Sequence, residues 1–164
     1  MRPITTETNL RVSGTPKAQP RAKARCVNGT AYIYNPSSAN SWKRNIRHTA
    51  LEEGIKKVPG PVAISLFFRF SRPKSHFGTG RNAHLVKASA PSFHSQKPDT
   101  DNLAKAVLDS LCDGGFIDDD ANVVSLLVCK SWESLGEPAG VDIRIMSSEI
   151  EPPALARKGA PSID

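Results

Sequence analysis

No stretch of the sequence stays apolar for anything near the roughly 20 residues that a membrane-spanning helix requires, and the N-terminus lacks the apolar core of a secretory leader. The expectation is a soluble, cytoplasmic protein with no membrane partner. Cysteine is scarce: Cys26, Cys112 and Cys129 lie far apart and form no C-x-x-C pair. That spacing argues against a zinc site or a disulfide framework and predicts three reduced thiols, at least two of them in the core. The phosphate-binding P-loop, the G-x-S-x-G elbow and the H-E-x-x-H helix are all absent. Acidic residues are nearly missing from residues 1–97, which hold 17 Lys and Arg against 3 Glu. Residues 98–164 reverse the balance, with 5 Lys and Arg against 13 acids, so the net charges of the two parts are +14 and −8. A basic part attracts polyanions and an acidic part repels them unless a cation intervenes.

What is present fits one domain. A chain of 164 residues is long enough to bury a core, and residues 1–147 are expected to form it, followed by a disordered Pro/Ala/Ser/Lys tail over 148–164. Residues 1–7 have no periodic pattern and predict a frayed end, and a first strand follows at 9–13. Between two prolines and three alanines, Lys17, Arg21, Lys23 and Arg25 recur along a segment that proline keeps extended, a form able to follow phosphates. Asn28-Gly29 between two short β-type runs predicts a hairpin over 24–34. Trp42, Ile46 and Ala50 at i, i+4 and i+8 predict a helix over about 38–55, with Trp42 as a core anchor. Lys43, Arg44 and Arg47 fall off that stripe and are expected to face solvent or DNA. Val62 to Phe70 reads as a long buried strand, and 71–98 as a mobile cationic loop that orders on DNA through Lys74, Arg81, Lys87 and Lys97. Its histidines, His76, His84 and His94, are spaced too irregularly for a metal site and are expected to be exposed or to face phosphate.

The chemistry concentrates after Lys97. Asp99 and Asp101, separated by one residue in a proline-preceded extended segment, are expected to leave the backbone on the same side and to share a metal ion. Asp101 also suits the cap of a helix predicted over 102–112, whose core side carries Leu103, Val107 and Leu111. Lys105 and Asp109 follow at intervals of four. For Asp109 an ion pair with Lys105 explains the spacing; Lys105 is one turn from Asp101 and well placed to touch a phosphate. Asp113-Gly114-Gly115 stops the helix and Phe116-Ile117 returns to the core. Asp118-Asp119-Asp120 then precedes a strand expected to be buried over 122–130, where these acids can meet those at the front of the helix. Three adjacent like charges repel, and a divalent cation relieves the repulsion. An EF-hand does not fit the register, which has Leu103 and Ala104 where Asp/Asn and Gly are needed. A last alternating strand is predicted at 141–145.

The runs Lys97-Pro98-Asp99-Thr100-Asp101-Asn102-Leu103-Ala104-Lys105-Ala106-Val107-Leu108-Asp109-Ser110-Leu111 and Gly115-Phe116-Ile117-Asp118-Asp119-Asp120-Ala121-Asn122-Val123 resemble the signature of the RusA family of Holliday-junction resolvases. The pattern is D-x-D-N-x-x-K-x-x-x-D-x-L, then a glycine turn and D-D-x-x-V. The resemblance extends over most of residues 8–147 and is to phage and prophage members in particular. It implies an α+β fold, a small mixed sheet with a long and a short helix, and a homodimer that nicks four-way DNA junctions with Mg²⁺, for which Mn²⁺ can substitute. It carries the family's essential acids onto Asp99, Asp101 and Asp120, its essential lysine onto Lys105 and a neighbouring acid onto Asp119, giving Asp99, Asp101, Asp119 and Asp120 as metal ligands. Asp118 is an extra carboxylate, and Ala18-Gln19-Pro20-Arg21 stands where many members have Gly-Arg-Pro-Arg. No organic cofactor is implied. A nuclease acting more broadly on branched or flapped DNA and a non-catalytic junction-binding protein remain as alternatives.

Overall fold

The computed structural model describes residues 6–147, so the expectations for residues 1–5 and for the tail at 148–164 lie outside the described residues. The chain forms β1 (Glu7–Ser13), β2 (Lys23–Val27), β3 (Thr30–Tyr34), α1 (Asn40–Glu52), β4 (Val62–Phe70), α2 (Thr100–Asp113), β5 (Val123–Trp132) and β6 (Gly140–Ser147), with single 3-10 turns at Lys74–His76, Gly80–Asn82 and Asp120–Asn122. Glu7 already belongs to β1, which corrects the expectation that residue 7 is part of a frayed end. The architecture is α+β: a mixed four-stranded sheet in the order β1-β6-β4-β5, two helices and a separate β2-β3 hairpin. β6 runs antiparallel to both β1 and β4, whereas β4 and β5 are parallel and joined through the 71–98 loop and α2. A parallel pair requires such a crossover.

One sheet face meets the helices. Period-2 alternation puts Ile64, Leu66 and Phe68 of β4 beside Ile145, Ile143 and Val141 of β6, and β6 in turn aligns Ile143 and Val141 with Leu10 and Val12 of β1. Trp42, Ile46 and Ala50 of α1 and Leu103, Val107 and Leu111 of α2 close over these rows, and all of them are buried. β6 starts on Gly140 because a side chain there would overlap the Val12 carbonyl of β1. The opposite face is polar. There Asp142 accepts from Arg69 (Nη1 2.6 Å, Nη2 3.1 Å) and from Arg11 (Nε 2.8 Å). Burial pushes the Asp142 carboxyl up, but the hydrogen bonds from the two guanidiniums outweigh it and hold the group below its ordinary value of 3.8.

Several expectations are corrected. β5 is not a buried strand but an edge strand, with Val124, Leu126 and Leu127 exposed, because α2 and β4 cover it from one side and nothing among the described residues pairs with the outer edge of 123–129. None of the cysteines is fully buried: Cys26 is exposed on the hairpin, and Cys112 and Cys129 are half-buried. His94 is neither exposed nor free to face phosphate. It is buried, stacks on Phe70 (4.1 Å between ring centroids) and meets Trp132 at a tilt of 53° (4.3 Å). Burial and the nearby Lys130 ammonium lower its pKa. The 71–98 loop is anchored: Arg72 donates to the carbonyls of Glu133 and Pro91, each at 2.9 Å. Lys43 and Arg47 turn away from solvent to meet Asp109 (3.1 Å) and Asp113 (3.4 Å) on α2, while Arg44 is exposed as expected. No helix among the described residues is long and apolar enough to cross a membrane.

Candidate functional site

The front of α2 is built by an unusual strap. Helical dihedrals begin at Thr100, and Asp99 holds the N-cap position in extended conformation (φ −69°, ψ 144°) without a side-chain capping bond. Asp101 therefore stands inside the first turn. This corrects both its expected capping role and the expected extended pairing with Asp99. Both carboxylates are exposed, in the field of a helix N-terminus that favours negative charge there.

Behind them, Lys130 of β5 donates its ammonium protons to the carbonyls of Gln96 and Pro98, each at 2.8 Å. The two residues flanking Lys97 are thereby stapled to the sheet immediately before Asp99. Sequence reasoning missed Lys130; its one available signal was a lone cation closing an apolar strand in the acidic part of the chain. On the other side the Gln19 amide donates to the Asn102 carbonyl at 2.8 Å, docking the basic segment against the helix start. Between them lies an open cleft of about 500 Å³ whose walls include Arg21, Lys97 and Asp99. Cations and a carboxylate thus face one cavity, the arrangement that a phosphate bound through a metal requires.

Along α2, Asp109 is the shared partner of two lysines. Lys43 lies at 3.1 Å and Lys105 at 3.7 Å, and Lys43 also approaches Gln19 Oε1 at 3.4 Å. The i,i+4 pair with Lys105 is present, yet Asp109 binds Lys43 more closely. The Lys105 side chain remains 58% exposed, free to reach an incoming phosphate.

The three consecutive aspartates have different environments. Asp118 is bound by the Lys57 ammonium and by the Gly60 amide at 3.0 Å, and these hydrogen bonds lower its pKa. It locks the α1–β4 connection to the end of α2. Asp119 accepts from the Ala121 amide at 2.8 Å and opens the 3-10 turn, and Asp120 is the turn's first residue. Burial of the half-buried Cys112 thiol raises its pKa, and the charges of Asp120, Asp119, Asp109 and Asp113 raise it further. Asp119 and Asp120 therefore lie beside the last turn of α2, while Asp99 and Asp101 lie at its first. The expected meeting of these acids at the front of the helix does not occur within one chain: no three His, Cys, Asp or Glu side chains among the described residues converge on a metal position.

Asp99, Asp101, Asp119 and Asp120 share one property that Asp118 lacks, for none has a Lys or Arg ion-pair partner among the described residues. Exposed carboxylate oxygens without a cation suit a hard divalent ion that keeps water and phosphate in its other positions. The remaining cations expected to contact DNA lie at the surface. Lys17, Arg21, Lys23 and Arg25 are exposed along the basic segment and hairpin, Lys74, Arg81 and Lys87 on the 71–98 loop, and Lys97 at the cleft. Arg25 lies over the Tyr34 ring, 5.8 Å from its centroid.

The family model described as Endodeoxyribonuclease RusA matches residues 13–146. No curated protein matches the sequence at a significant level.

Proposed function

Because the chain belongs to the RusA family of Holliday-junction endodeoxyribonucleases, metal-dependent hydrolases acting on branched DNA, we propose that it resolves four-way junctions with Mg²⁺ held by Asp99, Asp101 and Asp120, assisted by Asp119. The observation that carries this assignment is the cleft where Arg21 and Lys97 face Asp99, with Asp101 two residues further into α2 and Lys105 one turn beyond Asp101. Mn²⁺, with similar oxygen-ligand preferences, can take the same position. We place the activity in one nuclease domain over residues 1–147, working as a homodimer because a junction presents two-fold related strands for paired nicks. A cytoplasmic protein of phage or prophage origin fits this reading.

When bound, the metal ion contributes positive charge at the phosphate and acidifies a coordinated water. The chain's own groups do the rest. Arg21 and Lys97 grip the backbone on either side of the cleft and fix the register of the scissile phosphate, and Lys17, Lys23 and Arg25 extend the grip outward. The Lys105 ammonium lies where charge builds on the phosphoryl oxygens during attack, and Asp109 orients it. Lys130 keeps Asp99 at the cleft through the two carbonyls it holds.

The test compares four-way, three-way and linear duplex substrates, with wild type and Asp101→Asn. Preferential cutting of the four-way substrate, and its loss in the variant with binding retained, supports the assignment. Equal cutting of all three favours a broader branched-DNA nuclease. A wild-type rate from Asp101→Asn removes that residue from the site.

A further inference from the structure

We infer that the β2-β3 hairpin is the element that tells branched from linear DNA, with Tyr32 and Tyr34 stacking on a base freed at the branch point while Lys23 and Arg25 hold the flanking phosphates. This rests on the nuclease reading above and names the feature of the substrate that the site selects.

The strand register divides the hairpin into two unlike faces. Antiparallel partners share a face, so Lys23 with Tyr34 and Arg25 with Tyr32 lie on one, and Ala24 with Ile33 and Cys26 with Ala31 on the other. The first face alternates cations and aromatic rings, and the second has neither. Every residue of both strands is exposed, and among the described residues no further strand pairs with either edge of the ribbon. The rings of Tyr32 and Tyr34 are thus left open, at 51% and 44% exposure. The Arg25 guanidinium lies over Tyr34 at 5.8 Å from the ring centroid, near the outer limit of a cation–π contact, so a flat base can take its place.

Charge selects the occupant. From Thr8 to Leu51 the chain contains eight Lys and Arg and no Asp or Glu. A second copy laid on this face about a two-fold axis sets Lys23 and Arg25 against cations of the same kind, whereas DNA brings phosphates. Within a linear duplex the bases are stacked on one another and offer a ring no free face. At a branch point a base loses a stacking neighbour, and aromatic side chains bind such a face without regard to sequence.

Spacing and position agree. Tyr32 and Tyr34 are two residues apart, about 6.8 Å along a strand, twice the roughly 3.4 Å between stacked bases. One base fits between the two rings. The face also begins at the cleft: Arg21 lines it together with Asp99, and Lys23, the partner of Tyr34, follows no more than about 7 Å of chain later. The aromatic face therefore starts beside the grip on the scissile phosphate.

Two measurements on the full chain in EDTA, where binding is read without cleavage, test this. The first compares affinity for a four-way junction with that for a linear duplex of equal length, at one salt concentration. Wild type is expected to prefer the junction. Replacing Tyr32 and Tyr34 together with Ala lowers that preference by about tenfold or more and leaves duplex binding unchanged. Replacing both with Phe, which keeps the rings, retains the preference, and so does Ile33→Ser on the opposite face. Equal affinity of wild type for the two DNAs overturns the proposal. So does an alanine variant that keeps the preference, a phenylalanine variant that loses it, or an Ile33→Ser variant that loses it. The second measurement needs no variant. A junction carrying 2-aminopurine at the branch point is titrated with wild type, and stacking between the rings is expected to quench its emission, while the same probe within an arm does not respond. A rise, no change, or an equal response at both positions overturns the stacking. Neither readout depends on catalysis, so a protein that binds in this way and never cuts sinks the nuclease reading and leaves the role of the hairpin standing.

Discussion

Asp118 and Asp120 are two residues apart and chemically alike, yet the structure gives them different work. Asp118 is bound by Lys57 and the Gly60 amide, whereas Asp120 has no ion-pair partner among the described residues. Asp118→Asn is therefore expected to keep cleavage within about twofold of wild type, while Asp120→Asn lowers it by roughly 10²–10³-fold, the usual cost of removing a group that supports transition-state charge. Junction cleavage in Mg²⁺ measures both. The resemblance set Asp118 apart as an extra carboxylate, but its partner was not legible, because Lys57 lies 61 residues before Asp118 and no local pattern connects the two. The same limit hid Lys43 and Arg47, whose partners on α2 are each 66 residues away. Lys130 is the residue where the expected effect is least obvious from chemistry. Lys130→Met is expected to lower the cleavage rate at least tenfold, with Lys130→Arg partly restoring it, because the lost bonds hold the strap rather than touch DNA.

Elements were legible where a local signal was complete. Val58-Pro59-Gly60-Pro61 followed by a largely apolar run identified β4 to the residue, and Asn28-Gly29 identified the hairpin, whose turn holds both residues at positive φ, 51° and 78°. β5 shows what such signals omit. Its apolar run reads equally as a central or an edge strand, and the sheet order, set by long-range pairing, decides. The β2-β3 hairpin is exposed along its whole length, with Ile33 80% accessible, and has no core of its own to hold it. Replacing Lys23 and Arg25 together with Ala is expected to weaken junction binding and reduce the salt slope by about 1.8, at about 0.9 per phosphate contact, with thermal stability unchanged. Titrations at several salt concentrations provide the slope.

At the scale of the whole molecule, pH acts chiefly through two groups packed into the fold, of opposite chemistry and the same sign. Asp142 has a folded pKa below its ordinary 3.8, so its contribution is present above that value and is lost as pH falls through the folded pKa. His94 is also depressed, from 6.5, so the unfolded chain takes up its proton first and stability declines as pH drops below 6.5. Denaturant melts from pH 8 to pH 3 are expected to show two stages, a decline beginning near 6.5 and a steeper loss under 4. His94→Gln removes the first stage, and Asp142→Asn weakens the second.

The uncovered edge of β5 also bears on how the protein behaves when concentrated. Val124, Leu126 and Leu127 lie exposed along a run with no strand neighbour on its outer side among the described residues, and edges of this kind promote association. Light scattering of the full chain is expected to rise with concentration more steeply than that of a Leu127→Lys variant, and equal curves would show that the edge plays no part.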